Sequence, residues 1–199
     1  GFFEDHHRFQ LIGMMEMITT FEKRISEITK RMDTLTAGHQ NLLNRLDEIP
    51  GIDKKSAQSI VSEIGVTLDE FTCMAALASW AGLCPGNNES AGKRKSGRTS
   101  VRSHPFKTIL VEVSWAAVKK KGSYYRAKYY KLKARRGAKK AIVAIAHRIS
   151  KAIYNIIKQG DTFMDLGEDY LTVQTRQRTI NNMKKRARQL GYNLVPCEN

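Results

Sequence analysis

The residues best placed to do chemistry lie between Cys84 and Thr99, in the stretch CPGNNESAGKRKSGRT. Ser90 sits there among turn-forming residues, and Lys93, Arg94, Lys95 and Arg98 follow in close order. A loop of Asn, Ser, Gly and cations makes poor core material. It makes a good phosphate-handling surface, because its backbone turns readily and its side chains donate charge-assisted hydrogen bonds. A hydroxyl in such a loop can attack a phosphodiester or can simply cap a turn, and residue types alone favour the turn.

A second constellation lies upstream in LDEIPGIDKKSAQSIVSEIG, Leu46 to Gly65. A helix, a Pro-Gly turn flanked by Ile49 and Ile52, and a second helix holding small Ala57 resemble a helix-hairpin-helix motif over 39–65. A tight turn of this kind offers backbone N–H groups at a helix start, where they and the helix dipole can hold a phosphate. Gly51 belongs to that turn, and Lys54 and Lys55 add point charges in the first helical turn. The third turn residue of the motif is usually glycine. Here it is Asp53, which can instead cap the second helix and weaken anion binding there.

The elements that must carry these groups read as helices. From Phe9 to Ile49 a heptad places Leu11, Ile18, Ile25, Met32, His39 and Leu46 at one position and Met14, Phe21, Ile28, Leu35, Leu42 and Ile49 at the other. Such a seam wants a partner helix, so the pattern predicts a coiled coil within or between chains, with a homodimer or tetramer expected. The alternative is one amphipathic helix that packs on its own domain. Gly38 and His39 interrupt it, so the long helix should end near Leu35 to Ala37. Further helices are expected after a Thr67/Glu70 capping box to Gly82, from Pro105 with Ser103 just before it to Gly122, over 123–136, over 138–159, and over 170–190. Period-two strand patterns are absent. The expected fold is all-α, with a coiled-coil helix, a helix-hairpin-helix, and a helical domain bearing a basic loop. The expected domains are 1–37, 38–166 and a C-terminal helical extension over 167–199.

Composition narrows the partner. The 199 residues are 41% apolar, and 34 Lys and Arg against 19 acidic residues give a net charge of +15. A charge that large favours a polyanion, because bound phosphates release counterions and the field steers association. Arg102, Lys107, the 119–121 lysines, and Arg135, Arg136, Lys139 and Lys140 around Gly137 extend the candidate backbone-binding set, with double-stranded DNA the expected partner. No run of about 18 apolar residues and no signal peptide occur, which argues against a membrane and for the cytoplasm. Cys73, Cys84 and Cys197 form no CxxC pair, and the five histidines show no metal-ligand spacing with them.

Taken together, IPGID followed by FTCMAALASWAGLCPGNNESAGKRKSGRT and then VEVSWAAVKKKGSYYRAKYYKL resembles the C-terminal part of a bacterial insertion-sequence transposase. The family is the one-ten group, also called Piv-like DEDD transposases or bridge-RNA-guided serine recombinases. The opening DHHRFQL and the closing LGYNLV are also similar to family segments. The resemblance implies an N-terminal RuvC-like domain with four metal-binding acids, which this chain lacks, and a C-terminal domain that supplies a serine. That serine falls on Ser90, followed by Ala91 where the family usually has glycine. It implies attack on DNA and a phosphoserine link, with Lys93, Arg94, Lys95 and Arg98 placed to offset charge on the phosphate. It implies Mg2+ in the absent domain and no cofactor in this part. It also implies a guide RNA beside DNA and a bacterial, nucleoid-associated setting. A fragment of this kind would be inactive alone.

Where the family has Lys-Gly-Asn and then Leu-Arg, this chain has Val101-Arg102-Ser103 and then Phe106-Lys107, so a loop glycine is lost. Asp161, Asp165, Glu168 and Asp169 read as helix caps or solvent-facing acids, not a metal cluster. Tyr124, Tyr125, Tyr129 and Tyr130 lie near Arg126 without the HxxR signature of a tyrosine recombinase, and their spacing fits packing. The competing reading is a non-catalytic helix-hairpin-helix module that binds DNA or RNA, with Ser90 a turn residue.

Overall fold

The computed structural model describes residues 2–86, 88–96, 99 and 104–195, with the side chains of 88–90 and 93–96 outside the description. The fold is all-α, with one short ribbon. The chain divides into two compact units, residues 1–41 and 42–199.

In the first unit, α1 runs over Asp5–Thr36 and a 3-10 turn follows over Ala37–His39. The Glu4 N–H donates to His7 Nδ1 at 3.2 Å and the Glu4 side chain accepts from the His7 N–H, so the helix start is closed by a reciprocal box. No residue of α1 is buried. Leu11, Met14, Ile18, Phe21, Ile25, Ile28 and Leu35 all remain exposed.

The second unit takes in α2, Gln40–Asp47, from Leu42 onward, and continues past a turn into α3, Lys54–Ile64, and then α4, Met74–Trp80. The helices α5, Pro105–Ala117, α6, Tyr124–Arg136, α7, Ala138–Gln159, and α8, Tyr170–Gln189, complete it. α7 is the centre, packed against α4, α5 and α6, while α3 packs on α5 and α8 on α6. Its apolar side chains recur at helical spacing, and Ile145, Ala146, Ile149 and Ile153 are fully buried. Arg45 on α2 donates from one nitrogen to the Ile156 carbonyl at 2.9 Å and to the Asp161 carbonyl. That places a cation on the unpaired carbonyls at the end of α7, where the helix dipole favours it.

Several starts and stops differ from those read in the sequence. The Thr67/Glu70 spacing does not open a helix: α4 starts at Met74 with Cys73 as its cap residue. The intervening segment is held by burying Leu68 and Phe71, with Leu68 at positive φ, a conformation that a helix cannot accommodate. α5 is capped by His104, whose Nδ1 accepts from the Phe106 N–H at 3.2 Å, and it stops at Ala117, well before Gly122. The heptad also changes character along its length. Leu46 and Ile49 are fully buried within the second unit, whereas Leu11 to Leu35 form an exposed stripe.

Gly51 and Asp165 each fix a junction. At φ +89°, a Cβ on Gly51 would lie 2.4 Å from the Val113 carbonyl oxygen and 2.6 Å from the Ala117 nitrogen. The turn between α2 and α3 therefore sits directly on the backbone of α5, and only a residue without a side chain permits it. Asp165 Oδ1 accepts from the Tyr124 N–H at 2.9 Å and the Gly167 N–H at 3.0 Å. It caps α6 from 41 residues away in sequence, beside the local cap in which Ser123 Oγ accepts from the Arg126 N–H.

Two outcomes follow from these junctions. Gly51→Ala should lower unfolding stability by about 2–4 kcal/mol, through the forced shift of α5 and an alanine held at positive φ. A urea midpoint equal to that of the parent would refute the close approach. Asp165→Ala should cost about 1–2 kcal/mol and speed amide exchange at the first turn of α6. Unchanged exchange at Tyr124 would count against the long-range cap.

Candidate nucleic-acid interface

The basic loop is organised around a two-stranded antiparallel ribbon, β1 over Asn88–Ser90 and β2 over Lys93–Ser96. The sequence reading expected a loop here. Three- and four-residue strands are too short to show a period-two pattern, so composition could not reveal them. The register sets Ser90 opposite Lys93 and Glu89 opposite Arg94, with an irregularity after Asn88. Two residues join the strands, Ala91 at φ +50° and Gly92 at φ +73°. Two positive φ values in a two-residue connection define the tight turn that matches the twist of a hairpin. Ser90, the candidate nucleophile, is thus the last residue of β1 at the ribbon's tip. Lys93, Arg94 and Lys95 share β2. Arg98 and Arg102 lie outside the described residues, as does the altered stretch 101–103.

The ends of this excursion are held by an aromatic cluster. Trp80, the last residue of α4, meets the His104 ring edge-on at 3.9 Å, Phe71 at 5.2 Å and Phe106 at 6.0 Å. An isolated bridge between Pro85 and Thr99 narrows the neck further. Neither Trp80 nor His104 stood out in the sequence as a positioning group. The signal available was Trp80 at the close of an apolar helix and a histidine one residue before a proline.

At the α2–α3 turn, Lys54 and Lys55 occupy the exposed first turn of α3. Asp53 Oδ1 accepts from the Ser56 N–H at 2.8 Å. Those hydrogen bonds from Ser56 hold the Asp53 carboxyl below its ordinary value, with Lys55 adding a smaller pull in the same direction. A carboxylate therefore occupies part of the helix N-terminus that a phosphate would otherwise use. Gly51 itself faces α5 at close range.

The remaining cations are spread over the same unit. Lys107 lies in the first turn of α5, partly buried, and Arg135 and Arg136 are exposed in the last turn of α6. Lys139 and Lys140 are exposed at the start of α7. Three of the four tyrosines of α6 pack: Tyr124, Tyr125 and Tyr129 are buried while Tyr130 is exposed, and burial raises the Tyr125 phenol well above its ordinary value. A group held protonated so strongly is a poor nucleophile. The sequence reading did not single out Lys128, Lys131, Arg148 or Arg178, although Lys128, Lys131 and Arg135 follow helical spacing.

Among the described residues, the one set of His and acidic side chains close enough to share an ion is Glu4, His6 and His7, all exposed. Two imidazoles and one carboxylate do not fit the oxygen-rich shell that magnesium takes, and the His7 Nδ1 already accepts from Glu4. Asp165 spends Oδ1 on two backbone N–H groups. No described helix is long and apolar enough to cross a membrane.

No curated protein sequence matches the chain. Residues 43–131 match the family model described as Transposase IS116/IS110/IS902 family. The match takes in the α2–α3 turn, the ribbon, α5 and α6 as far as Lys131. The chain therefore carries a Transposase IS116/IS110/IS902 family domain over residues 43–131, and that domain supports a transposase role.

Proposed function

We propose that this chain is the DNA-handling C-terminal part of a transposase in which Ser90 is the nucleophile. The observation that carries the reading is the family match over 43–131, which encloses Ser90 together with Lys54, Lys55, Lys93, Arg94, Lys95, Arg98, Arg102 and Lys107. The ribbon supports it, since its register holds Ser90 opposite Lys93 at the tip of a short, well-defined turn.

In the proposed step, Ser90 Oγ loses its proton and attacks the phosphorus of a DNA phosphodiester. The bond from phosphorus to one deoxyribose oxygen breaks, and that oxygen leaves as a hydroxyl after taking up a proton. The phosphate stays esterified to Ser90, so the bond energy is retained and a hydroxyl on a second strand can displace the serine. Cations on β2 and in the following residues would offset the extra negative charge on the pentacovalent phosphate. The α2–α3 turn, through Gly51, Lys54 and Lys55, would contact backbone as a helix-hairpin-helix does. Arg135, Arg136, Lys139 and Lys140 would add sequence-independent contacts. The Mg2+ that the resemblance implies would be held by a preceding domain, and among the described residues the Glu4, His6 and His7 group does not suit it. No step is therefore routed through it.

The α1 stripe is proposed to seat a second copy of the chain as a coiled coil. Large apolar side chains exposed at heptad spacing are costly in water and are relieved by a matching helix.

Two outcomes test these readings. The protein with its preceding domain, given element-end DNA and the guide RNA that the resemblance implies, should form an adduct that survives denaturation and maps to Ser90. Ser90→Ala should reduce strand exchange by about three orders of magnitude or more. Strand exchange that persists in that variant would sink the serine mechanism. For the coiled coil, Ile18→Asp with Ile25→Asp should lower the mass measured by light scattering to that of a single chain. A mass equal to the parent's would rule the seam out as the interface.

A further inference from the structure

α6, α7 and α8 gather five cations. Lys128 on α6 has Lys131 and Arg135 on its own helix, Arg148 on α7 and Arg178 on α8 close enough to act on it. Partial burial, and then the charges of Arg148, Lys131, Arg178 and Arg135, hold the Lys128 ammonium below its ordinary value. The neighbouring His147 is also held down, by burial first and then by Arg148 and Lys151. The geometry is built: Lys131 Nζ donates to Thr175 Oγ1 at 2.6 Å, tying α6 to α8 beside an open groove lined by Thr172, Arg176 and Thr179. Arg148 lies over the Tyr124 ring at 5.7 Å.

The charges that act on Lys128 are all cationic, while Arg148 also shares a pocket with the carboxylates Asp161 and Asp165. Among the described residues, the ion pairs of His6 with Glu4, Arg24 with Glu27 and Lys158 with Asp69 include no member of the cluster. Like charges held together on three packed helices repel one another. A fold retains such an arrangement most readily where a polyanion completes it. The position matters as much as the charge. α3 packs on α5, α5 on α7, α7 on α6 and α6 on α8, so three helices intervene between Lys54 and Lys55 on α3 and the α8 side of this groove.

We propose that the α6–α8 face is a second duplex-binding surface, which grips the sugar–phosphate backbone of double-stranded DNA without reading its sequence. It is separate from the surface formed by the ribbon and the α2–α3 turn. The inference rests on the transposase reading, because joining one DNA to another requires two duplexes to be held at once. Arg135 and Arg178 are exposed, on α6 and α8, and make direct phosphate contacts, and Lys128 and Arg148 supply the field behind them.

The test uses the full 199-residue chain and short mixed-sequence duplexes, with stoichiometry read by analytical ultracentrifugation and affinity by fluorescence anisotropy. The parent should bind two duplexes per chain at low salt, and Arg135→Gln with Arg178→Gln should bind one. That variant should also lose about 10-fold in overall affinity near 0.1 M salt, and the slope of log affinity against log salt should flatten by about two. Lys23→Gln with Lys30→Gln on α1 removes the same charge elsewhere and should leave both readouts unchanged. Thr175→Ala breaks the α6–α8 tie without changing charge and should leave the stoichiometry at two.

Equal weakening by the α1 pair would reduce the effect to net charge and overturn the proposal. So would a parent stoichiometry of one, or an α6–α8 variant that loses binding to an RNA hairpin and not to duplex DNA. The Ser90 adduct assay reads a separate quantity. An adduct without the stoichiometry change sinks this proposal alone, and the change without an adduct sinks the nucleophile alone.

Discussion

Residues 42–199 close around one helix. α7 presents alanine and isoleucine at three- and four-residue spacing, and its buried face, from Ala141 to Ile156, meets α4, α5 and α6 together. Each large aliphatic side chain buried there stabilises the fold by about 1.5–3 kcal/mol. Without α7, the buried faces of Leu77, Phe106, Leu110, Val113 and Tyr125 would lose a common floor. The family match ends at Lys131, before α7 begins. The matched segment thus carries the turn, the ribbon and α5, while the helix that closes their core lies outside it.

That core positions the ribbon through its feet. α4 and α5 both pack on α7, and the excursion that holds Ser90 leaves from the end of one and returns to the start of the other. Trp80 and His104 meet across the gap at 3.9 Å, so the feet are fixed by contact as well as by the helices beneath them. His104 serves twice, as a ring against Trp80 and as the acceptor that caps α5. At the far end the tip depends on backbone conformation. Ala91 holds φ +50°, which costs an alanine about 1 kcal/mol or more relative to a glycine, the residue that the resemblance implies there. The departure read in the sequence therefore falls at a position of real conformational demand.

What could be read in the sequence followed from local physics. α7 and α8 were legible because a long period and a flanking glycine, or an acidic approach, mark both ends. The Asp53 cap was legible because a side-chain acceptor one residue before a helix bonds within three residues of itself. The groups that escaped act over distance or without a pattern. Asp165 caps α6 across 41 residues, and nothing in its own neighbourhood announces that. Gly51 read as a turn glycine for phosphate, while its strict requirement comes from α5, whose approach only the folded chain defines. The break read at Gly38 and His39 falls where α1 ends at Thr36 and a 3-10 turn follows, but spacing alone could not show the change of surroundings across it. Leu46 continues the same spacing as Ile18 and Ile25 and is fully buried, while those two lie exposed.

Charge divides along the same line. Residues 1–41 carry five basic and six acidic side chains, so the whole positive excess lies in residues 42–199. A near-neutral helix with an exposed apolar stripe has little attraction for a polyanion and much to gain from another apolar surface. The second unit has the opposite character: its apolar side chains are mostly used in its own core, and its surface is strongly cationic. That difference in character is in keeping with the two proposals, a second copy of the chain on α1 and nucleic acid on the second unit. Within the second unit the cations are also not spread evenly. Some lie at the α3 start and on the ribbon, and others surround Lys128 at the α6–α8 side. A surface meant only for general attraction needs no such grouping, since long-range steering depends on the summed charge. Clusters at opposite ends of the packing order are instead what contact with separate stretches of phosphate backbone requires.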